Sequence, residues 1–457
     1  MNSIFRLSIA LAAGLLVGGC ARARDSRPSV VLILVDQLRC DAAERWMPET
    51  NALAEQGLRC EQMRSVAPWT YPSVISLFSG LYPQQHGADA NQEGNRVTSL
   101  SPDVPLLPRT LGAAGYHTAG FVTNPFLHEW NRPVRDAFEH FNASFIGNQG
   151  PTRGHGERVW TKRMYSDSVN PAVREYFDAR TLAGPEFVYV HYMDVHGRRE
   201  GDGRWEDAPF EGTYEGAVRY VDHKIRELYD YFSARYAGQL LFVVTSDHGQ
   251  DFDDDLAVGE GPPWRARKNS LHDFNLRIPF YVLPSALVQT PRVLTQPCAN
   301  IDVAPTLLEW LGLPREVEGP GTSLLAALRG EPYDGESRAL YARNSTNGRF
   351  EESVVHARHK LVRYRRPQDG SVLARRLFDL AGDPRELRGL PQDGDPAETS
   401  MEALLEAAAD PHGVVFPARY EELDEATRDS LDALGYGGAK DDQKVRQPDI
   451  NEARKGK

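Results

Sequence analysis

The sequence predicts an α/β protein with a mostly parallel central sheet, helices on both faces of that sheet and a smaller C-terminal antiparallel β subdomain. Short, continuous apolar runs recur along the chain, which is the pattern of strands buried on both faces. Helical patterns separate these runs, as expected for parallel strands joined by crossover helices. From about residue 336, apolar and polar residues alternate instead, which favours antiparallel strands.

The predicted strands of the main domain end where polar side chains begin. The first, 29–35 (SVVLILV), ends at Asp36, and similar runs occupy 119–122, 187–190, 240–244 and 278–283. The helical patterns between and after them cover 106–114, 215–232 and 303–311. Ligands of such sheets bind at the carboxyl ends of the strands. The candidate site residues are therefore those that follow the strands: Asp36, the segment 191–196, and Asp247 with His248.

The C-terminal third of the chain changes character. Residues 353–380 alternate around the turn signal 367–370 (PQDG), and helical patterns follow near 401–409 and 424–434. The polar tail after 436 is expected to be disordered. These patterns divide the chain into a signal peptide (1–19), a lipidated tether (20–27), a catalytic α/β domain (28–335), an antiparallel subdomain (336–390), C-terminal helices (391–436) and a tail (437–457).

The N-terminal segment predicts export. Its apolar run, 7–17, is too short to span a bilayer and suits a secretory signal. The run ends in Gly18-Gly19-Cys20, which resembles the lipobox of bacterial lipoproteins, in which the cysteine is acylated. A plain signal peptide or a poor transmembrane segment is the alternative. Because Ala21 rather than Asp follows Cys20, we expect a lipid-anchored protein of the cell envelope, more in the outer than in the inner membrane.

Composition excludes several classes of protein. Lys and Arg number 52 against 64 Asp and Glu, and the resulting net charge of −12 repels nucleic acid, so no nucleic-acid partner is expected. Once Cys20 is assigned to the anchor, only Cys40, Cys60 and Cys298 remain, so the fold is not a disulfide scaffold. Cys40 and Cys60 are a possible pair. The sequence makes no prediction of the oligomeric state.

The segment 67–87 (APWTYPSVISLFSGLYPQQHG) carries a family resemblance. Thr70, one residue, Pro72 and Ser73 lead into a helical stretch, and this resembles the nucleophile segment of the sulfatase and alkaline phosphatase superfamily. Pro72 suits the first turn of a helix, whose free amides favour an incoming anion. The resemblance implies that Thr70 stands in the nucleophile position.

Further segments resemble the same family in the same order. They are PSVVLILVDQLRCD at 28–41, HYMDVHG at 191–197, VVTSDHG at 243–249 and KNSLHDFNLRIPFYV at 268–282. The resemblance covers most of residues 28–436. A single Asp-His-Gly motif is weak support, whereas an ordered set of motifs is strong support.

Departures from the sulfatase pattern favour phosphorus chemistry. Sulfatases place Cys or Ser at the nucleophile position for oxidation to formylglycine and carry an Arg four residues later, whereas this chain has Thr70 and Val74. Gln37 replaces a second Asp, and Asn124 falls where sulfatases have Lys and His near the sulfate. Thr nucleophiles with an Asp-His metal motif resemble phosphodiesterases and phosphoethanolamine transferases of the superfamily. We therefore expect a phosphoesterase or phosphoryl-group transferase.

One divalent metal ion is expected at the nucleophile. A threonine hydroxyl needs a base or a metal to become reactive at neutral pH. Asp36, Thr70, Asp247 and His248 offer three oxygens and one imidazole, which suits Zn or Mn better than Ca, with Ca or Mg possible. The alternative interpretations are a helix cap for Asp36 and an ordinary turn at 247–249.

The remaining polar residues are assigned to the substrate. His196 and Lys268 are predicted to hold the other ester oxygens or to protonate the leaving group, and His272 can replace Lys268 or join it. Asn124 is a further substrate-binding candidate. The alternative for Lys268 is an ordinary surface lysine.

Two nearby residues are expected to have structural rather than chemical roles, and a structural role is the alternative for a third. His86 is expected to brace the nucleophile helix and Asp194 the histidine loop, while His191 can be an ordinary buried histidine whose ring is satisfied in the core.

Three functional hypotheses follow. The first is a metal-dependent phosphoesterase or phosphoryl transferase that uses Thr70, and the second is a sulfuric ester hydrolase without formylglycine. The third is a non-catalytic protein that keeps the fold and an anion pocket. The natural substrate, an anionic phosphorylated or sulfated ester in the first two, and the choice between hydrolysis and transfer are left open.

Overall fold

The computed structural model describes residues 27–422, apart from 90–95, 128–131, 146–164, 197–207, 253–269, 334, 336, 347–349, 368, 391–395, 411–412 and 414. Several predictions lie outside the described residues: the leader with Cys20, Lys268, the helix at 424–434 and the tail. Within the described part, no helix combines the length and the apolar character that crossing a membrane requires.

The helices are short except for one. They are α1 (Cys40–Trp46), α2 (Pro48–Ala54), α3 (Thr70–Ser79), α4 (Pro83–His86), α5 (Leu107–Ala113), α6 (Arg132–Arg135), α7 (Ser166–Asp178), α8 (Tyr214–Tyr236), α9 (Asp273–Leu276), α10 (Val303–Trp310), α11 (Leu325–Arg329) and α12 (Pro396–Ala409). The longest is α8. Thr213 directly precedes it as the N-cap, and the Thr213 side chain accepts a hydrogen bond from the Gly216 amide.

The strands belong to one large and several small sheets. They are β1 (Ser29–Val35), β2 (Leu58–Cys60), β3 (Met63–Arg64), β4 (Arg96–Ser99), β5 (His117–Val122), β6 (His140–Asn142), β7 (Glu186–Tyr192), β8 (Leu240–Ser246), β9 (Phe280–Leu283), β10 (Arg292–Leu294), β11 (Cys298–Ala299), β12 (Leu340–Asn344), β13 (Phe350–His356), β14 (His359–Arg365), β15 (Val372–Asp379) and β16 (Arg419–Glu422).

The central sheet confirms the predicted fold class. Its strand order is β10-β2-β9-β8-β1-β7-β5-β6, and the run from β8 to β6 is parallel throughout. The run 278–283, predicted among the parallel strands, instead forms β9, which is antiparallel to β8 and to β2. The reason is where β9 starts: the Gly249 amide, just after the carboxyl end of β8, donates to the Asn275 carbonyl oxygen, so β9 begins at the edge where β8 ends and runs back beside it.

Helices cover both faces of the sheet, as predicted. Along β1, the side chains of Val30, Leu32 and Leu34 pack into a core with α3, α5 and α10. The alternate side chains, Val31, Ile33 and Val35, pack against α1, α2, α7 and α8. A strand buried on both faces explains the unbroken apolar run, since each such side chain contributes roughly 1.5–3 kcal/mol when it leaves water.

The C-terminal part forms the predicted antiparallel sheet, in the order β12-β13-β14-β15. Helix α12 packs on it through Met401 and Leu405, and the same core includes Ile301 of the main domain. Helices were predicted in the segment 391–436, and the structure adds a strand there, β16, which pairs with β4. That pairing joins residues more than 300 positions apart, so no local pattern reveals it.

Candidate active site

Three strands of the central sheet deliver polar side chains to one place. Asp36 follows β1, Asp247 follows β8, and His191 lies near the end of β7, paired with Leu34 of β1. All three side chains are completely buried. Parallel neighbours end at the same edge of a sheet, so the strand register alone brings these residues together.

Helix α3 brings Thr70 to the same place. Thr70 is the first residue of this helix, which is buried from Thr70 to Phe78. Its Oγ1 donates a hydrogen bond to Asp36 Oδ2 at 3.2 Å and lies 3.5 Å from His248 Nε2. The Ser73 hydroxyl, one turn later, donates to the Asp247 carbonyl oxygen at 2.6 Å. The helix is thus tied to the Asp247 loop at the end that carries Thr70, and the positive end of its dipole favours an anion there.

The orientation of His248 is set by its own loop. Its Nδ1 lies 2.8 Å from the Gly249 carbonyl oxygen, which can only accept, so Nδ1 carries the proton and Nε2 faces Thr70 as a bare nitrogen. Gly249 is required here because a Cβ would lie 2.0 Å from the Phe274 carbonyl oxygen. Asp247 Oδ1 accepts from the amides of Gln37 and His248 at 3.1 and 2.8 Å.

The donor set fits a divalent metal ion. Ligand atoms of Asp36, His191 and Asp247 lie within 4.8 Å of one another. Asp247 Oδ2 and both ring nitrogens of His191 have no hydrogen-bond partner among the described residues. Buried carboxylates and imidazoles without partners are costly, and a cation among them removes that cost. The mixture of carboxylate and imidazole donors suits Zn or Mn.

His191 is a ligand candidate that the sequence interpretation undervalued. Burial lowers the pKa of His191 to about 4, so the ring is neutral at pH 7 and able to bind a metal. A satisfied core histidine was the alternative for this residue, yet its ring has no described hydrogen bond. Its position at the end of the strand next to β1 placed it among the candidate residues, but the sequence did not assign it to the metal.

Gln37, which the sequence marked only as a departure from the sulfatase pattern, is unusual in its backbone and its burial. It adopts φ of +61°, a left-handed conformation that is uncommon outside glycine, and it is buried directly after Asp36. Its Oε1 has no hydrogen-bond partner among the described residues. A strained backbone and an unpaired buried oxygen at the same residue favour a functional role.

Asn124 and His196 lie at the site, as predicted. Asn124 Nδ2 donates to Asp36 Oδ2 at 2.8 Å and lies 3.4 Å from Thr70 Oγ1, so it orients both groups. His196 Nε2 lies 4.0 Å from Asp36 Oδ1. The roles of these residues toward a substrate remain predictions.

His86 and Asp194 have the bracing contacts that were expected. His86 Nδ1 accepts from the Ala88 amide, so Nε2 donates to the hydroxyl of Ser76 in α3, at 2.9 Å. Asp194 accepts from the amide and hydroxyl of Ser166 at 3.0 and 2.7 Å. Burial raises the pKa of Asp194 to about 6, although the hydrogen bonds from Ser166 oppose that rise.

His272 belongs to a buried ion cluster between the main domain and the C-terminal sheet. Its Nδ1 lies 3.2 Å from Glu386 Oε2, which also accepts from the Asp273 amide. Lys360 of β14, fully buried, lies 2.7 Å from Glu386 and 2.8 Å from Asp273. Arg64 of β3 completes the cluster, 2.7 Å from Asp273. The described contacts of His272 are therefore with this cluster, and its proposed role in substrate binding stays a prediction.

This cluster is connected to the site through the backbone. Asp273 begins α9, and the carbonyl oxygen of Asn275 in that helix accepts from the Gly249 amide at 2.7 Å. The carbonyl oxygen of Gly249 in turn accepts the hydrogen bond from His248 Nδ1. Lys360 and Glu386, which the sequence does not single out, thus support the loop that carries His248.

Comparison with known proteins agrees with this geometry. Residues 28–313, more than half of the chain, match the family model named Sulfatase. An endo-4-O-sulfatase of Bacteroides thetaiotaomicron is 23% identical over 458 residues, which cover 80% of this chain and 88% of that protein.

Solved structures share the fold. A protein in complex with its substrate D-glucosamine-2-N,6-O-disulfate superposes with a TM-score of 0.65 and 14% identity, covering 84% of this chain and 99% of that one. The phosphonate monoester hydrolase of Silicibacter pomeroyi superposes with a TM-score of 0.59 and 19% identity, covering 84% and 94%.

The family match over residues 28–313 and the shared fold lead to one conclusion. The chain belongs to the sulfatase family of the alkaline phosphatase superfamily and is a sulfatase-family hydrolase.

Proposed function

We propose that this hydrolase cleaves phosphorus esters through Thr70, with one divalent metal ion held by Asp36, Thr70, Asp247 and His248, and with His191 as a further candidate ligand. The observation that carries the proposal is the position of Thr70 at the first turn of α3, 3.2 Å from Asp36 and 3.5 Å from His248 Nε2. An anionic ester bound there meets a hydroxyl, the positive end of the α3 dipole and a cation-binding donor set together.

The chemistry of threonine supports phosphoryl rather than sulfuryl transfer. Oxidation of a secondary alcohol gives a ketone, so Thr70 cannot become the hydrated aldehyde on which formylglycine sulfatases depend. Val74, one turn further along α3, places an apolar side chain where those enzymes carry an arginine. A covalent adduct on Thr70 has to be opened by water at its central atom, a second in-line displacement of the kind that phosphoryl chemistry uses.

The proposed reaction has two steps. In the first, the Thr70 oxygen forms a bond to phosphorus while the bond to the leaving alcohol breaks. In the second, water attacks phosphorus and releases Thr70 and a phosphate or phosphate ester. Asn124 orients Thr70 and Asp36, while His196 and Lys268 bind the ester oxygens or give a proton to the leaving group. A bound divalent ion supplies Lewis acidity to this site.

A sulfuric ester is the second candidate substrate. It is favoured by the names of the curated relatives, since the endo-4-O-sulfatase aligns over 80% of this chain. The neighbour solved with a disulfated glucosamine adds support. If this candidate holds, the family's sulfate chemistry proceeds here without formylglycine.

The test is a substrate panel combined with variants of Thr70. The purified protein is assayed on aryl phosphate monoesters and diesters, phosphonates and sulfates with Zn, Mn, Mg or Ca. We expect a phosphorus ester to be the best substrate, Thr70→Ala to lose at least about a hundredfold in turnover, and Thr70→Ser to retain much more. Thr306→Ala, a buried threonine of α10, is the matched control for folding.

Mass spectrometry of protein quenched during turnover should place a phosphoryl group on the peptide that contains Thr70. An aryl sulfate that is cleaved well above every phosphorus ester would replace the first candidate with the second. Normal turnover by Thr70→Ala would refute the nucleophile assignment for either substrate.

The place of action is proposed from the leader alone. We propose an exported enzyme, acylated at Cys20 and held at the membrane surface of the cell envelope. The short apolar run before Gly18-Gly19-Cys20 supports this location.

A further inference from the structure

Two of the buried cysteines face each other. Cys60 ends β2 and Cys298 begins β11, and their side chains are 4% and 0% exposed. Their Sγ atoms lie 3.3 Å apart although 238 positions separate them in the chain. We propose that Cys60 and Cys298 form a disulfide bond in the mature protein, in place of the pairing of Cys40 with Cys60 that the sequence left open.

The backbone around the two thiols holds them in register. Cys60 pairs with Leu294 in the β2–β10 ladder, and the Glu61 amide donates to the Leu294 carbonyl oxygen at 2.9 Å. The Cys298 amide donates to the Gln62 carbonyl oxygen at 3.2 Å. Because both strands are fixed on each side of the cysteines, the sulfur atoms need to close only about 1.2 Å to reach the length of a disulfide. Rotation about the side-chain bonds can supply this movement.

Cys40 provides an internal contrast. Its Sγ lies 3.5 Å from Glu44 Oε1, to which it donates a hydrogen bond. Its described partner is a carboxylate rather than a sulfur. Of the described cysteines, only Cys60 and Cys298 have sulfur atoms in contact.

The reaction is an ordinary two-electron oxidation. The S–H bonds of Cys60 and Cys298 break, an S–S bond forms, and two protons and two electrons leave. The electrons reduce the disulfide of a thiol oxidoreductase to its dithiol by exchange through a mixed disulfide. An oxidising compartment outside the cytoplasm supplies such a partner, so the proposal for the living cell rests on the export proposed above.

The disulfide would connect the two segments that hold the start of α3, the helix that carries Thr70. Residues after Cys60 lead to Ser65, whose hydroxyl lies 3.0 Å from that of Ser73 in α3. Residues after Cys298 lead to Asn300, whose Nδ2 donates to the Ser73 carbonyl oxygen at 3.0 Å. The crosslink therefore ties together the two segments between which the start of α3 is held. A long closed loop also removes much freedom from the unfolded chain.

The experiment measures the oxidation state of each cysteine. Protein recovered from the envelope is unfolded in an alkylating reagent without reductant, digested and analysed by mass spectrometry. We expect a linked peptide pair that contains Cys60 and Cys298, with Cys40 alkylated. Cys60→Ser and Cys298→Ser should each lower the melting temperature by about 2–4 °C under non-reducing conditions and remove its dependence on reductant. Cys40→Ser is the matched control and should leave that dependence intact.

A second arm makes the result independent of export. The reduced, purified protein is treated with diamide and analysed in the same way, and the same linked pair is expected. Failure of diamide to link the two residues would overturn the geometric argument. If diamide links Cys60 and Cys298 but both are free thiols in the protein recovered from the envelope, the proposed bond is absent from the mature protein and the proposal is overturned. A bond that includes Cys40 would overturn the assignment of partners.

Discussion

Replacing Lys360 with Met should strongly destabilise the protein because Lys360 is the buried cation that joins two carboxylates. Its Nζ lies 2.8 Å from Asp273 and 2.7 Å from Glu386, and its side chain is fully buried. Met has nearly the same length and no charge, so the substitution removes the ion pairs without opening a large cavity. Arg64 would remain as the arginine partner of Asp273. The cluster would then hold one more negative than positive charge.

The magnitude follows from the burial of the partners. Burial alone would raise the pKa of Asp273, but Arg64 and Lys360 lower it well below its ordinary value, so the carboxylate stays ionised. Burial likewise opposes ionisation of Glu386, while Lys360 and then His272 lower its pKa. Breaking one partner out of a buried ion pair costs about 3–5 kcal/mol. This is a large part of a typical unfolding free energy of roughly 5–15 kcal/mol.

The measurement is urea unfolding at pH 7, followed by tryptophan fluorescence. Lys224→Met is the control, because Lys224 makes a 2.9 Å ion pair with Glu227 at a partly exposed position on α8. That control should lose less than about 1 kcal/mol. Adding Glu386→Gln to Lys360→Met should recover part of the loss, since the buried negative charge that lost its lysine partner is then removed.

The same variant should also weaken metal binding, because the cluster supports α9 and, through it, the loop of Gly249 and His248. A Lys360→Met variant no less stable than Lys224→Met would refute the assignment of a stabilising role to the cluster. Unchanged metal affinity in a destabilised variant would separate the cluster from the site.

Three further predictions concern other parts of the chain. Asp247→Asn should lower the affinity for a divalent ion by at least about tenfold with little change in circular dichroism, and full occupancy by elemental analysis would place the metal elsewhere. Burial lowers the pKa of His86 to about 3. Between pH 6.5 and 3 the imidazole of His86 is therefore protonated in the unfolded chain but neutral in the folded one. The stability due to His86 is therefore complete above pH 6.5 and falls by about 1.4 kcal/mol per pH unit as the pH drops. His86→Gln should remove this part of the pH dependence, and an unchanged slope would contradict the assignment. Cys20→Ser should abolish incorporation of a fatty-acid probe and release the protein from membranes, whereas unchanged labelling would exclude the anchor.

Much of the fold follows from local patterns. The unbroken apolar run of β1 reflects burial on both faces, and the long amphipathic repeat of α8 reflects burial on one. Such periodicity depends only on neighbouring residues, so a single sequence reveals it. Because the carboxyl ends of parallel strands share an edge, the strand pattern by itself places Asp36 and Asp247 together. Thr70 is identified by the motif around it.

The pairing of distant segments was decided by tertiary structure alone. Strands of two to four residues, such as β3, β11 and β16, are too short for a periodic signal, and their partners lie far away in the chain. The direction of β9 depends on the edge of the sheet from which the chain starts it. Local composition does not encode that edge.

The same limit applies to individual side chains. Cys40 and Cys60 are closer in sequence, but the fold brings Cys298 to Cys60. His191 resembles any buried histidine until its ring is seen to have no described hydrogen bond. Glu386 becomes important only because it meets Lys360 and His272. Residue type and local pattern determine which chemistry a side chain can perform, whereas burial and partners, which come from contacts across the whole chain, determine which of these possibilities is realised.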